Sequence, residues 1–331
     1  MEPIPDQTPP APAGIPLRTI VIHTALLAAT FVTTTLAGVQ WLLMDPFELT
    51  NFEAGMTYAS LLLLMLASHE FGHYVAARLH GVEATLPYFI PFPSVAEFAL
   101  LNPFGTLGAV IRLRSGLPSR RILFDIGSAG PIAGFVVSIV VLVIGFLTLP
   151  GKEYLYTIHP EYATMDHIPT GGWVFGRTLF YILAETLFAP PGAFIPPMNE
   201  IYHYPFLCVG WFGMLVTAIN LIPVGQLDGG HIVYAMFGTT YHRIAQIALM
   251  TLAVLGTAGF LPLVGIPFEF GYTGWLFWAL VLAFFSRVLR LNRPALPDES
   301  PLDHRRLILG WICVVMFAGS FSLTPFSFNV P

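Results

Sequence analysis

The chain of 331 residues is 55% hydrophobic and only 10% charged, with a mean hydropathy of +0.73 and a formal net charge of −5. A water-soluble domain carries about a quarter charged residues, so the surface of a soluble globule of this size is excluded. The charges form no basic stripe, which excludes a nucleic-acid-binding surface.

In chain order, residues 1–18 are rich in Pro and Ala and read as a disordered tail. The apolar run that follows, from about Thr19 to Met44, is too long for a signal-peptide core. It reads as an uncleaved first span, so that residues 19–53 hold this span and an outer loop. A second span covers about Ala54 to Leu79. Residues 84–114 are apolar but interrupted by Pro87, Pro91, Pro93 and Pro103. Backbone broken in this way cannot face lipid, because its polar groups would go unpaired. The segment is therefore expected to be re-entrant or surface-lying, packed on protein, with strand pairing around Gly108 to Leu113.

A third span runs from about Ile122 to Leu149. Residues 150–204 form an outer loop in which Trp173 to Phe188 reads as an interfacial helix, with an extra span as the alternative. A fourth span, about Pro205 to Leu221, ends at Pro223 and a Gly-rich turn. Three further spans, about Ile244 to Leu263, Thr273 to Leu289 and Arg306 to Leu323, occupy residues 241–331. The fold class is an all-α polytopic membrane protein of about seven transmembrane helices with a re-entrant β-like segment. With the N-terminus cytoplasmic, all but Lys152 and Arg177 of the fourteen basic residues fall on the cytoplasmic side, as the positive-inside rule requires. The lipid bilayer is thus the first expected partner. Oligomeric state leaves no trace in the sequence.

Chemistry concentrates in the second span, which contains His69-Glu70-Phe71-Gly72-His73. Histidines four residues apart share one helix face, so both imidazoles can reach one metal ion, and Glu70 projects beside its open side. A polar helix end without metal is the plainer reading. It is weakened by the cost of several kcal/mol for unpaired ionisable groups in an apolar span. A third ligand must come from elsewhere. The stretch Asn220-Leu221-Ile222-Pro223-Val224-Gly225-Gln226-Leu227-Asp228-Gly229-Gly230-His231 places Asp228 at the cytoplasmic end of its span, at the depth expected for His69 and His73.

These two motifs together resemble the site-2 protease family of intramembrane zinc metalloproteases. Gly127-Ser128-Ala129-Gly130-Pro131 is similar to the stretch that opens that family's central span. The runs HEFGHYVAARLHGV, LPYFIPFP, FGTLGAVIRLRS and RRILFDIGSAGPIAGF look more narrowly like its PDZ-less branch, which includes chloroplast and bacterial members. The resemblance implies that His69, His73 and Asp228 bind zinc, that Glu70 is the general base, and that Asn220 contacts the substrate. It implies a three-span catalytic core within residues 54–240, with the re-entrant segment presenting an edge to an unwound substrate. Transmembrane proteins are the expected substrates. One departure is that residues 150–204 are too short and too apolar for the PDZ domain of many bacterial members.

The rival reading is a metal-binding membrane protein without protease activity, a zinc transporter or a catalytically silent relative. Clustering of the polar residues at one depth argues against a transport path, and retention of Glu70 argues against a silent relative. Cys208 and Cys313 lie in apolar runs and read as small buried hydrophobes rather than a disulfide or a nucleophile. His23 reads as a satisfied interhelical histidine. His231 reads equally as a supporting donor or as an interface residue. His159, His167 and His203 lie in the outer loop with Glu161 and Asp166, where a second metal site is the lesser reading. Arg112, Arg114, Arg120 and Arg121 are expected to fix topology and touch headgroups. Asp125 is expected to pair with Arg120 or Arg121 rather than with Asp228 as an aspartyl dyad. The short N-terminus suggests a bacterial inner membrane, with the site toward the cytoplasm.

Overall fold

The computed structural model describes residues 16–94, 102–266, 270–287 and 296–329. It is mostly helical. Three helices are long and apolar enough to cross a bilayer: α1 (Leu17–Trp41), α2 (Phe52–Leu79) and α3 (Arg120–Leu147). The others are shorter: α4 (Lys152–Ile158), α5 (Leu179–Phe188), α6 (Pro205–Asn220), α7 (Asp228–Phe237), α8 (Tyr241–Ala258), α9 (Thr273–Arg287) and α10 (His304–Ser320). A helix lies at each of the seven expected places, but among the described residues only those three have spanning length and hydropathy. Of the expected tail, residues 1–15 lie outside the described residues, while Leu17 and Arg18 already belong to α1.

Helix α3 shows why the bundle belongs in lipid. Val136, Val140, Ile144 and Leu147 recur at helical spacing along one face and are exposed. In water that apolar stripe would be a liability, whereas against acyl chains it costs nothing. The opposite face carries Gly127, Gly130, Gly134, Ser138, Val141 and Gly145, all buried. Small residues let neighbouring backbones approach closely, which is how helices gain contact energy where lipid removes the hydrophobic drive. Helix α3 accordingly packs on α2, α6 and α7, and α2 also packs on α1. Three buried threonines of α1, Thr30, Thr34 and Thr35, return their hydroxyls to carbonyls four residues earlier, so each polar group is satisfied inside its own helix.

The re-entrant segment contains strand β1 (Tyr88–Pro91) paired antiparallel with β2 (Thr106–Val110). Pairing thus begins earlier than Gly108, and a lone bridge from Ala84 to Leu113 extends it. The register shifts between Phe89 and Pro91, where Pro91 has no N–H to donate. His23 anchors this hairpin to α1: its Nδ1 lies 2.8 Å from the Pro87 carbonyl oxygen, and its ring packs on Tyr88. The partner of His23 is therefore the hairpin, not another helix.

The stretch Trp173 to Phe188 is neither one interfacial helix nor a span. Its first part is strand β3 (Gly172–Phe175), paired antiparallel with β4 (Phe326–Asn329) at the far end of the chain, and only its second part is α5. Gly176 marks the break, its N–H donating to Pro325 and its carbonyl accepting the Trp211 indole N–H at 2.7 Å. Phe175, Trp211, Phe212 and Phe326 then pack edge to face around the small sheet. Cys208 and Cys313 are both free and buried, as expected.

The α1–α2 contact gives a direct test of this packing. A Cβ on Gly55 would lie 2.1 Å from the Thr35 carbonyl oxygen, whereas one on Gly116 would meet nothing within 4 Å. Gly55→Ala should destabilise the detergent-solubilised protein by about 1–3 kcal/mol, and Gly116→Ala should have little effect. Thermal melting of the two variants beside the parent would show equal midpoints if the helices were not in this contact.

Candidate metal centre

Helix α2 presents His69, Glu70 and His73 to the interior, all three buried. Their burial depends on α3. A Cβ on Gly130 would stand 2.1 Å from His73 Nε2, and one on Gly134 would stand 3.1 Å from His69 Nδ1. Glycines one helical turn apart therefore form the seat into which both imidazoles fit. His73 Nδ1 lies 2.7 Å from the Ile126 carbonyl oxygen, so it carries the donated proton and leaves the Nε2 lone pair facing inward.

Asp228 arrives from the other direction. Helix α6 ends at Asn220, Pro223 prevents its continuation, and Gly225 takes the left-handed conformation at φ 59° that turns the chain back. Asp228 opens the separate helix α7, so it stands in a helix first turn rather than at the end of a span. The turn is tight: a Cβ on Gly229 would lie 2.0 Å from the Leu221 carbonyl oxygen.

The three donors converge. His69 Nε2 and His73 Nε2 are 3.2 Å apart. Asp228 Oδ2 lies 3.2 Å from the first and 3.3 Å from the second. Donors about 2.0–2.1 Å from a tetrahedral ion stand roughly 3.3–3.4 Å apart, so this set fits zinc in both chemistry and spacing. The three side chains form one of two groups among the described residues whose donor atoms could share a metal ion.

A cavity of about 310 Å3 opens beside the donors. Glu70, Asn220 and His231 line it, and so do Ala109, Val110 and Ile111 from β2 and its continuation. The Asn220 amide nitrogen lies 3.4 Å from His69 Nε2. Every residue singled out by sequence for the site thus meets in one cavity. The sequence marked Gly130 as part of a motif and residues 84–114 as a re-entrant segment, but it did not show that Gly130 and Gly134 seat the two imidazoles or that β2 walls the cavity.

Asp125 has other partners than those expected. Arg306 of α10 binds its carboxylate through two nitrogens at 2.8 and 2.7 Å, and His80 Nε2 lies 2.9 Å away. Arg306 also pairs with Asp303. Arg120 instead donates to the carbonyls of Ala235 and Glu299, at 2.7 and 3.0 Å. Arg121 donates to the Pro301 carbonyl at 3.4 Å. These arginines fasten the ends of α3, α7 and α10, because the 298–303 segment folds back over the start of α3. That removes Asp125 from any carboxylate dyad with Asp228.

The glycine seat makes a prediction about metal content. Gly130→Ala should fold but displace the His73 ring, and the purified variant should hold several-fold less zinc than the parent. Unchanged metal content in a folded Gly130→Ala protein would contradict the seat.

The profile described as peptidase family M50 matches residues 57–261. The chain is 28% identical over 214 residues to "Probable zinc metalloprotease EGY2, chloroplastic" of Oryza sativa subsp. indica, covering 64% of this chain and 35% of that protein. It is 29% identical over 264 residues to "Probable zinc metalloprotease EGY1, chloroplastic" of Arabidopsis thaliana, covering 80% of this chain and 42% of that protein. The rice counterpart of the latter is 31% identical over 213 residues, with 63% and 33% covered. The chain therefore spans between a third and under half the length of these relatives. Their chloroplast designation lends no support to the bacterial inner membrane expected from the sequence. No solved structure matches the chain. With the profile covering more than half of its residues, the chain belongs to peptidase family M50, the site-2 protease family.

Proposed function

We propose that this chain hydrolyses peptide bonds of membrane-embedded proteins, with His69, His73 and Asp228 holding zinc and Glu70 acting as general base. The observation that carries the reading is the convergence of two imidazole nitrogens and one carboxylate oxygen within 3.3 Å, beside a cavity that Glu70 lines. Zinc bound there supplies Lewis acidity toward a water molecule and a substrate carbonyl. Glu70 takes the proton of the attacking water and passes it to the leaving nitrogen. The Asn220 amide, on the same wall as His69, orients the substrate carbonyl.

Ala109, Val110 and Ile111 offer an extended backbone at the cavity wall, and a substrate segment docks along it through main-chain hydrogen bonds. A helical substrate hides its carbonyls in its own hydrogen bonds and must first unwind, so cleavage falls near helix-weakening residues. The polypeptide threads the membrane seven times with the Arg-rich loops and the site toward the cytoplasmic side. Residues 54–240 make the protease core, and residues 241–331 add peripheral spans. The substrates are membrane proteins, or the membrane stubs left by an earlier cut. Family membership and the retained Glu70 favour this reading over a transporter or a silent relative.

The test uses the purified full chain and single-span substrates in detergent or liposomes. Glu70→Gln should keep its zinc and lose cleavage by about 10²-fold or more, since a carboxamide cannot accept the proton. Cleavage by the variant at the parent's rate would refute the assignment.

A further inference from the structure

The outer loop brings together a second donor set. His159 follows α4, while Glu200 and His203 precede α6. His159 Nε2 and His203 Nε2 are 3.0 Å apart, and Glu200 Oε2 lies 3.3 Å from His203 Nε2 and 3.7 Å from His159 Nε2. Glu200 and His203 are 2% and 0% exposed, and the His159 side chain is 14% exposed. The spacings of 3.0, 3.3 and 3.7 Å bracket those of donors around one ion, less evenly than in the first site.

The outer atoms of these side chains are already engaged. His203 Nδ1 lies 2.6 Å from the Trp41 carbonyl oxygen at the end of α1, and His159 Nδ1 lies 3.1 Å from Glu161 Oε1. Both contacts are with acceptors, so each Nδ1 carries a proton and each ring turns its Nε2 inward. Glu200 Oε1 accepts from the Asn199 amide at 2.9 Å and from the Tyr162 hydroxyl at 3.2 Å. Glu200 Oε2 has no hydrogen-bond donor, although it is buried. Two ring Nε2 atoms and a carboxylate oxygen thus converge in a buried place, an arrangement that a cation shared by the three would stabilise.

We propose that His159, Glu200 and His203 bind a divalent transition metal of the zinc class, which ties the outer loop to the end of α1. Two imidazoles with one carboxylate select such an ion over calcium or magnesium, which take all-oxygen sets. The outward contacts from Nδ1 to a carbonyl and to a carboxylate are those that orient metal-binding histidines. The ligands come from both ends of the loop, and His203 reaches a third element through Trp41. The ion would therefore staple residues 159–203 in place.

Counting bound metal tests this apart from cleavage. The full chain, purified in detergent and dialysed, should hold roughly two zinc ions per chain. His159→Gln, Glu200→Gln and His69→Ala should each fall to roughly one, and Glu200→Gln combined with His69→Ala to none. His159→Gln lies at the edge of the cluster and guards against misfolding of the more buried variants, with melting curves run alongside. A parent chain with one ion, lost on His69→Ala, would overturn the proposal and leave a proton shared by the imidazoles in its place. Parental metal content in His159→Gln and Glu200→Gln would overturn it equally. Failure of the first site alone would appear as metal that survives His69→Ala and disappears with Glu200→Gln.

Discussion

Everything at the centre of this protein depends on how closely α2 and α3 approach. Gly130 presents bare backbone where any side chain would collide with His73, and Gly134 leaves the room in which His69 sits. In lipid, helices associate through packing and polar contacts rather than through hydrophobic drive. The seat that stabilises the bundle is therefore also what brings two imidazoles into its interior. The Ile126 carbonyl, four residues before Gly130 on the same helix, fixes the His73 tautomer and turns its lone pair toward His69 and Asp228. Shape, stability and metal chemistry meet in one contact.

Around that contact the two ends of the bundle are fastened differently. At the start of α3, Arg306 grips Asp125 with two nitrogens while Arg120 reaches the last turn of α7 and the 298–303 segment. Forked arginine contacts to carboxylates and carbonyls hold direction as well as distance. They tie α3 and α10 to the last turn of α7, the helix that Asp228 opens after the chain turns at Gly225. At the other end, aromatic rings cover the β3–β4 pair, and α1 ends against His203.

Among the described residues, the side chains whose donor atoms could share a metal ion lie in two places. One is the cavity beside His69, His73 and Asp228. The other is the loop cluster of His159, Glu200 and His203. In each, an imidazole Nδ1 points outward to a fixed acceptor and Nε2 points inward. The shared logic is electrostatic: a ring whose outer nitrogen must donate has only a lone pair to offer within.

Helix positions were legible in the sequence because hydropathy is a local property, and α1, α2 and α3 lie where the apolar runs put them. So was the pairing of His69 with His73, since four residues on a helix always share a face. The proline-broken stretch could be placed as re-entrant because unpaired backbone cannot face lipid, and it does contain a hairpin. What the sequence could not reveal are contacts made by residues far apart in the chain. Asp125 finds Arg306 across 181 positions, and β3 pairs with a strand at the other end of the chain. The outer-loop histidines suggested Glu161 and Asp166 as neighbours, and Glu161 does meet His159, but the carboxylate between His159 and His203 is Glu200, some forty residues further on. Spacing along one element can be read from residues alone, but which elements come to lie side by side is decided by how the whole chain packs.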